Sequence, residues 1–231
     1  MNAYLHKSSD RGHVKEGWLE TYHSFSFASW YDPRFMGVSA LRVINDDTIA
    51  AHNGFGTHPH DNMEILTCVL SGQITHKDSM GNQGHIRAGE WQLMSAGTGV
   101  RHSEINETDE PVHLLQIWLL PNVRDAEPTY QQIALNPKDL PNQWHTIVAP
   151  TQEAPLFIRQ DTVIQSAYLL KDQKLPIQTS KGLNYVHLIE GSVQIGEYTV
   201  NAGDALAFAD PSEIIASDNA LMIWFDLPAK A

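Results

Sequence analysis

The feature that most limits the folds open to this chain is the rhythm of its apolar segments. Most are short, many alternate with polar residues, and glycines or polar turns cut them off. The run from Met63 to Leu70 is closed by Ser71-Gly72, and the run from Val112 to Leu120 is largely apolar and rich in strand formers. Gly72, Gly81, Gly84, Gly89, Gly97 and Gly99 punctuate the same region. Short strands at this spacing predict a sandwich or barrel, and no long amphipathic helical pattern competes with them. The fold class expected is all-β.

The pattern occurs twice. Tyr185 to Ile195 echoes Ile65 to Ile74: in each, a strand meets a glycine turn, Gly72 or Gly191, and continues as a second strand. Each echo is followed by a Gly-acid pair, Gly89-Glu90 and Gly203-Asp204, that opens another apolar segment. Duplication of one β-domain explains this better than chance likeness of hairpins. Between the copies, Pro121, Pro128, Pro137 and Pro141 stand among polar residues and read as a connector with a helical turn. The expected division is therefore residues 1–125 for a first domain, and residues 126–231 for the connector and a second.

Composition excludes some functions. The chain of 231 residues carries 15 basic and 27 acidic residues, a formal charge of −12. A net-negative surface is repelled by phosphate backbones, so nucleic acid is not an expected partner. A single cysteine, Cys68, permits no intramolecular disulfide and fits a reducing compartment. The N-terminus lacks the apolar core of a signal peptide, and no apolar run is long enough to span a bilayer. A cytoplasmic protein without a membrane partner is expected.

Two short motifs among the 12 histidines carry chemistry. His58-Pro59-His60 places two imidazoles at i and i+2, on one face if the segment is a strand. His102-Ser103-Glu104 repeats the spacing with an imidazole and a carboxylate. Were these strands neighbours in a barrel, four ligands would converge. Three neutral imidazoles and one carboxylate suit iron, manganese, cobalt, nickel, copper or zinc, whereas calcium and magnesium prefer all-oxygen shells. The remaining histidines, among them His13, His23, His52, His76, His85, His113 and His145, lack a partner at ligand spacing. His76 and His85 flank a polar turn and are expected to be solvated. Cys68 shares the parity of His58, His60 and Glu64 and reads as a buried, inert thiol facing into the barrel.

These motifs resemble the cupin superfamily. His58-Pro59-His60 through Glu64, with Gly72 beyond, is similar to its first motif, and Gly89 through Asn106 to its second. Ser95 stands where the second motif usually has proline, and the spacing before His102 is slightly altered, both as in the pirins. Arg11-Gly12-His13, Phe25-Ser26-Phe27, Tyr31-Asp32-Pro33, Leu41-Arg42-Val43 and Met94 through Glu104 strengthen the likeness, which is greatest to bacterial pirin-like quercetin 2,3-dioxygenases. The resemblance implies a bicupin, two jelly-roll (double-stranded β-helix) barrels in one chain. It implies one divalent metal in the first barrel, Fe(II) foremost, held by His58, His60, His102 and Glu104. Glu64, often a ligand in other cupins, shares the strand parity of the histidines but is expected not to coordinate. The second barrel has a solitary His187 and no second His-x-Glu, so no second metal is expected.

The activity implied is flavonol ring cleavage with O2 and release of carbon monoxide, with Glu104 as catalytic base and a small aromatic substrate in a monomer. The alternative is a pirin-type regulatory protein using its metal as a redox sensor. A cupin sugar isomerase is weaker still, because Arg101 is the one basic candidate for a phosphate near the motifs.

Overall fold

A computed structural model describes residues 3–230. Strands dominate; two 3-10 turns, Ser8–Asp10 and Pro137–Asp139, are the helical elements among the described residues. None is long and apolar enough to cross a membrane. The chain divides into two compact units, each a seven-stranded sheet with a four-stranded sheet.

In the first barrel, the seven-stranded sheet runs Thr129–Ala134, Glu90–Ser95, Glu64–Ser71, Val112–Leu119, Leu41–Ile49, Leu19–His23, Gly12–Glu16. Its four-stranded sheet runs Gly54–His60, Val100–Ile105, Gln73–Asp78, Gln83–Arg87. Alternation explains the pairing: Leu114 of the large sheet and Ile74 and Ile86 of the small one share one buried apolar cluster.

The second barrel repeats this layout except at one edge, where Leu156–Phe157 pairs parallel with its neighbour and Gly12–Glu16 of the first barrel pairs antiparallel. Its large sheet runs Ala3–His6, Ala205–Phe208, Gly182–Glu190, Ala220–Pro228, Val163–Leu169, His145–Ala149, Leu156–Phe157, and its small sheet Lys174–Ile177, Ser212–Ala216, Ser192–Ile195, Tyr198–Asn201. The hairpins expected to be equivalent from the echo, around Gly72 and Gly191, occupy equivalent places, each glycine at positive φ. The bicupin architecture is thus present in full.

The units do not change over at one point near residue 125. Thr129–Ala134 pairs with Glu90–Ser95 and stays with the first barrel, so part of the expected connector is an edge strand of that sheet. Ala3–His6 pairs with Ala205–Phe208 and fills the matching edge of the second. The first barrel therefore comprises Arg11–Leu135 with Ile158–Gln160. An edge strand answers to whichever sheet has free N–H and C=O groups, not to its neighbours in sequence. The expected helical turn is Pro137–Asp139, capped by the Asn136 side chain.

One glycine is required by close approach. Gly54 opens the strand that carries both histidines, with φ +156°, and a Cβ there would overlap the Glu104 carbonyl oxygen. Gly54→Ala should push the two site strands apart and lower stability by about 1–3 kcal/mol. Denaturant titration of the metal-free protein checks this; an unchanged midpoint would show that the strands tolerate the methyl group.

Candidate metal centre

The site is built where Gly54–His60 and Val100–Ile105 run antiparallel, with His58 opposite His102 and His60 opposite Val100. The i, i+2 spacing turns His58 and His60 to one face. The ligand nitrogens of His58, His60 and His102 lie within 4.8 Å of one another. Their ring centroids are 4.4 to 4.9 Å apart. The register shifts beyond the His58–His102 pair: Phe55 to His58 spans one residue more than Glu104 to His102, so the extra residue lies in the histidine strand. Glu104 thus stands opposite Phe55, while Val100–Ile105 stays regular against Gln73–Asp78. His102 and Glu104, at i and i+2 of a regular strand, therefore share a face.

Glu104 is buried and lines the same cavity as His58 and His60, but its oxygens are not in the tight imidazole group. Gln116 Nε2 donates to both of its carboxylate oxygens at 3.0 Å, and Thr67 Oγ1 lies 3.4 Å from Oε1. Those partners belong to a polar row crossing the large sheet in register: His23, Asn45, Gln116, Thr67, Gln92 and Gln132 face one another on successive strands. Above the row, Ile65 and Trp118 pair directly and line the cavity with Phe27. Trp118 stands edge-on to His60 at 4.9 Å and to Phe27 at 5.3 Å. A second cavity, lined by Trp30, Tyr31, Met36 and Arg42, shares Phe27 and Trp118 as its wall. An aromatic vestibule therefore adjoins the histidines.

Electrostatics favour bare imidazoles. Burial first, then the neighbouring imidazoles of His102 and His58, push His60 down to about 4. Burial first, then His58 and His76, push His102 down to about 3. Both are neutral at pH 7 and present lone pairs. His58 Nδ1 lies 2.8 Å from the Gly56 carbonyl, which can only accept, so the proton sits there and Nε2 is left bare. His102 Nε2 is buried without a hydrogen-bond partner. A buried orphan nitrogen beside two further imidazoles is the arrangement a borderline divalent ion satisfies. The three imidazoles fit such a metal, and Glu104 lines the cavity beside them.

Comparisons with known proteins identify the family. The Pirin family model matches residues 5–119, and the model for the quercetinase C-terminal cupin domain matches residues 146–227. The chain is 44% identical over 230 residues to a quercetin 2,3-dioxygenase of Escherichia coli (strain K12), covering 97% of this chain and 98% of that protein. This chain belongs to the pirin family. It is also 36% identical over 220 residues to a pirin-like protein of Caulobacter vibrioides. Among solved structures it resembles the bacterial pirin YhhW from Escherichia coli in complex with nickel(II), with TM-score 0.92, 42% identity, and coverage of 98% of this chain and 99% of that one.

The second barrel of this pirin shows what the site costs in apolar packing. By strand and register, Leu175, Ile177, Ile214 and Ala216 stand where the first barrel has His58, His60, His102 and Glu104. All four belong to one buried hydrophobic cluster, with Trp224 and Phe208. His187 lies on the strand between Val186 and Leu188, which face that cluster, and so points to the opposite side.

Three expectations are corrected. Glu64 does not face the histidines: Ser95 Oγ donates to its carboxylate at 2.6 Å, while Ile65 and Thr67 take the site face. Asn62, at φ +45°, turns the chain between the two strands, so side-chain parity is not carried from His60 to Glu64. Cys68 follows Glu64 onto that opposite face; it is buried, and burial pushes its thiol far up, which makes it inert. His76 is not solvated but fully buried, 3.0 Å from Asp78.

Sequence reasoning also missed Asp47, which lines the cavity from Leu41–Ile49. Burial first, against a hydrogen bond from Thr21 and with repulsion from Glu104 and Asp46, raises its carboxyl to about 7. Between about pH 4 and 7 the folded state keeps a proton here that the unfolded chain has released, so the contribution of Asp47 to stability falls as pH rises through that window. Asp47→Asn in the metal-free protein should remove this cost, roughly 4 kcal/mol at its fullest above pH 7. Denaturant midpoints at pH 5 and pH 8 check it, and a variant equally affected at both would sink the account.

Proposed function

We propose that this pirin is a metal-dependent quercetin 2,3-dioxygenase, opening the flavonol ring with O2 and releasing carbon monoxide. The observation that carries the reading is a carboxylate, Glu104, held by Gln116 and Thr67 beside three converging imidazoles in an aromatic-walled cavity. The relatives named quercetin 2,3-dioxygenase, aligned over nearly the whole chain, support it.

His58, His60 and His102 would hold the ion, with Glu104 as fourth ligand. When bound, a divalent transition metal would supply Lewis acidity toward the flavonol's oxygen edge; Fe(II) is the first candidate, and Mn, Co, Ni, Cu or Zn are alternatives. Glu104 takes the proton of the 3-hydroxyl on a carboxylate oxygen. Gln116 and Thr67 keep that carboxylate turned to the cavity. Phe27, Ile65 and Trp118 give the substrate's flat rings an apolar wall and exclude water.

Purified protein stripped of metal, then restored with each candidate ion, should consume quercetin by absorbance and release one carbon monoxide per ring opened. Consumption without carbon monoxide, or at equal rate in stripped protein, would reject the reading.

A further inference from the structure

His76 and Asp78 take no part in the proposed chemistry, yet the side chains of both are buried beside His102. They lie on Gln73–Asp78, which pairs with Val100–Ile105 so that His76 faces Glu104 and Asp78 faces His102. His76 Nε2 is 3.0 Å from Asp78 Oδ2, both side chains are inaccessible to solvent, and His76 Nδ1 is 3.5 Å from His102 Nδ1, a long contact.

We propose that Asp78 and His76 are positioning residues for the metal centre, a relay that fixes which nitrogen of His102 faces the other two imidazoles. The inference rests on the three imidazoles being the metal site, and is independent of which substrate is turned over.

The logic is donor-acceptor bookkeeping along the chain. Asp78 Oδ1 accepts from the backbone N–H of Met80 and of Asn82, at 2.9 and 3.0 Å, and the Asn82 side-chain amide donates to both carboxylate oxygens. Every group around Asp78 is a donor, so the carboxylate only accepts and His76 Nε2 carries a proton. In the relay proposed here His76 acts as the one-proton imidazole, held by Asp78 on Nε2, and presents a bare Nδ1. Two facing nitrogens can bond only when one is protonated, so His102 Nδ1 carries the hydrogen and His102 Nε2 is bare. That nitrogen is the buried orphan of the site. His58 reaches the same tautomer through the Gly56 carbonyl. His102 reaches it through a second imidazole that is itself set by a carboxylate, and Tyr130 packs against the His76 ring at 4.8 Å.

Asp78→Asn reverses the relay. The two backbone donors hold the new amide oxygen in the place of Oδ1, which puts the NH2 toward His76 Nε2. His76 must then accept there and carry its proton on Nδ1, and His102 moves its own proton to Nε2. Long-range 1H–15N correlation spectra of histidine-labelled, metal-free protein read these tautomers directly. We expect His102 protonated on Nδ1 in the unsubstituted protein and on Nε2 in Asp78→Asn. Zn(II) affinity, measured by chelator competition, should fall about 10–100-fold in that variant. It should fall comparably in His76→Phe, which keeps the ring and removes the acceptor, and should recover in His76→Gln, whose amide oxygen can accept from His102. An Nε2–H tautomer in the unsubstituted protein overturns the proposal without recourse to any variant. Unchanged Zn(II) affinity in Asp78→Asn and His76→Phe overturns it equally. Failure of the unsubstituted protein to bind Zn(II), with the expected tautomers present, would instead reject the metal reading.

Discussion

Replacing His102 with alanine should abolish metal-dependent turnover. His102 supplies the most buried of the three imidazoles, and its Nε2 has no partner in the protein. Altering a residue behind a ligand weakens metal affinity about 10–100-fold, so deleting the ligand itself should exceed about 100-fold. Quercetin consumption at micromolar metal should drop below about one hundredth of the unsubstituted rate, and metal analysis after desalting should find the protein empty. The pH dependence of the metal-free protein separates this loss from misfolding. An unfolded histidine takes up a proton near its ordinary 6.5, whereas folded His60 and His102 resist it down to about 4 and about 3. At these two groups the folded state therefore binds fewer protons, and their contribution to stability is lost as pH falls from about 6.5 toward 3, opposite in sign to that of Asp47. His102→Ala removes one of these two contributions, so its stability should fall less steeply over the same range. A variant that folds, binds metal and turns over normally would refute the ligand assignment.

The His58, His60 and His102 part of this centre was legible because strand geometry has a period of two. Two residues at i and i+2 share a face wherever the strand lies, so His-x-His and His-x-Glu announce their direction before their neighbours are known. The bicupin was legible for a similar reason: the hairpins around Gly72 and Gly191 carry a local pattern that survives duplication. What could not be read were relations between strands. Counted along the sequence Glu64 shares the parity of His60, but the turn at Asn62 resets the alternation. Gln116, Thr67 and Asn45 come from three separate strands and meet only through register. Each is a polar residue interrupting an apolar run, which was a usable signal; the sequence does not say that they line up with one another or with Glu104. His76 looked solvated because its sequence neighbours are polar. Its burial comes from pairing with Val100–Ile105, a contact between distant segments. The edge strands Ala3–His6 and Thr129–Ala134 illustrate the same limit, since local pattern cannot reveal which open sheet edge a short strand will join.

Glu104→Gln tests the other half of the site, the step from holding an ion to acting on a substrate. The substitution keeps volume and shape while removing the group proposed to take the flavonol's proton. It also disturbs the local hydrogen bonds. Gln116 Nε2 donates to both Glu104 oxygens, so an amide NH2 in place of one oxygen sets donor against donor until the Gln116 amide turns over. Thr67 can follow that reversal, because its hydroxyl lies within reach of both Glu104 Oε1 and Gln116 Oε1 and can either donate or accept. The fold should therefore survive. Turnover of quercetin at saturating metal should fall about 10²–10⁴-fold, the range expected for loss of a positioned proton acceptor. Gln116→Ala gives the complementary arm: the carboxylate remains but loses its holder, so turnover should fall by less than in Glu104→Gln, with the carboxylate chemistry still available. Proton transfer is specific to the carboxylate, whereas metal affinity is shared with three imidazoles, so Glu104→Gln should lose far more in kcat than in affinity. Measuring both on the same preparations decides the role. Full activity in Glu104→Gln would remove Glu104 as the base, and a loss confined to metal affinity would leave it a ligand alone.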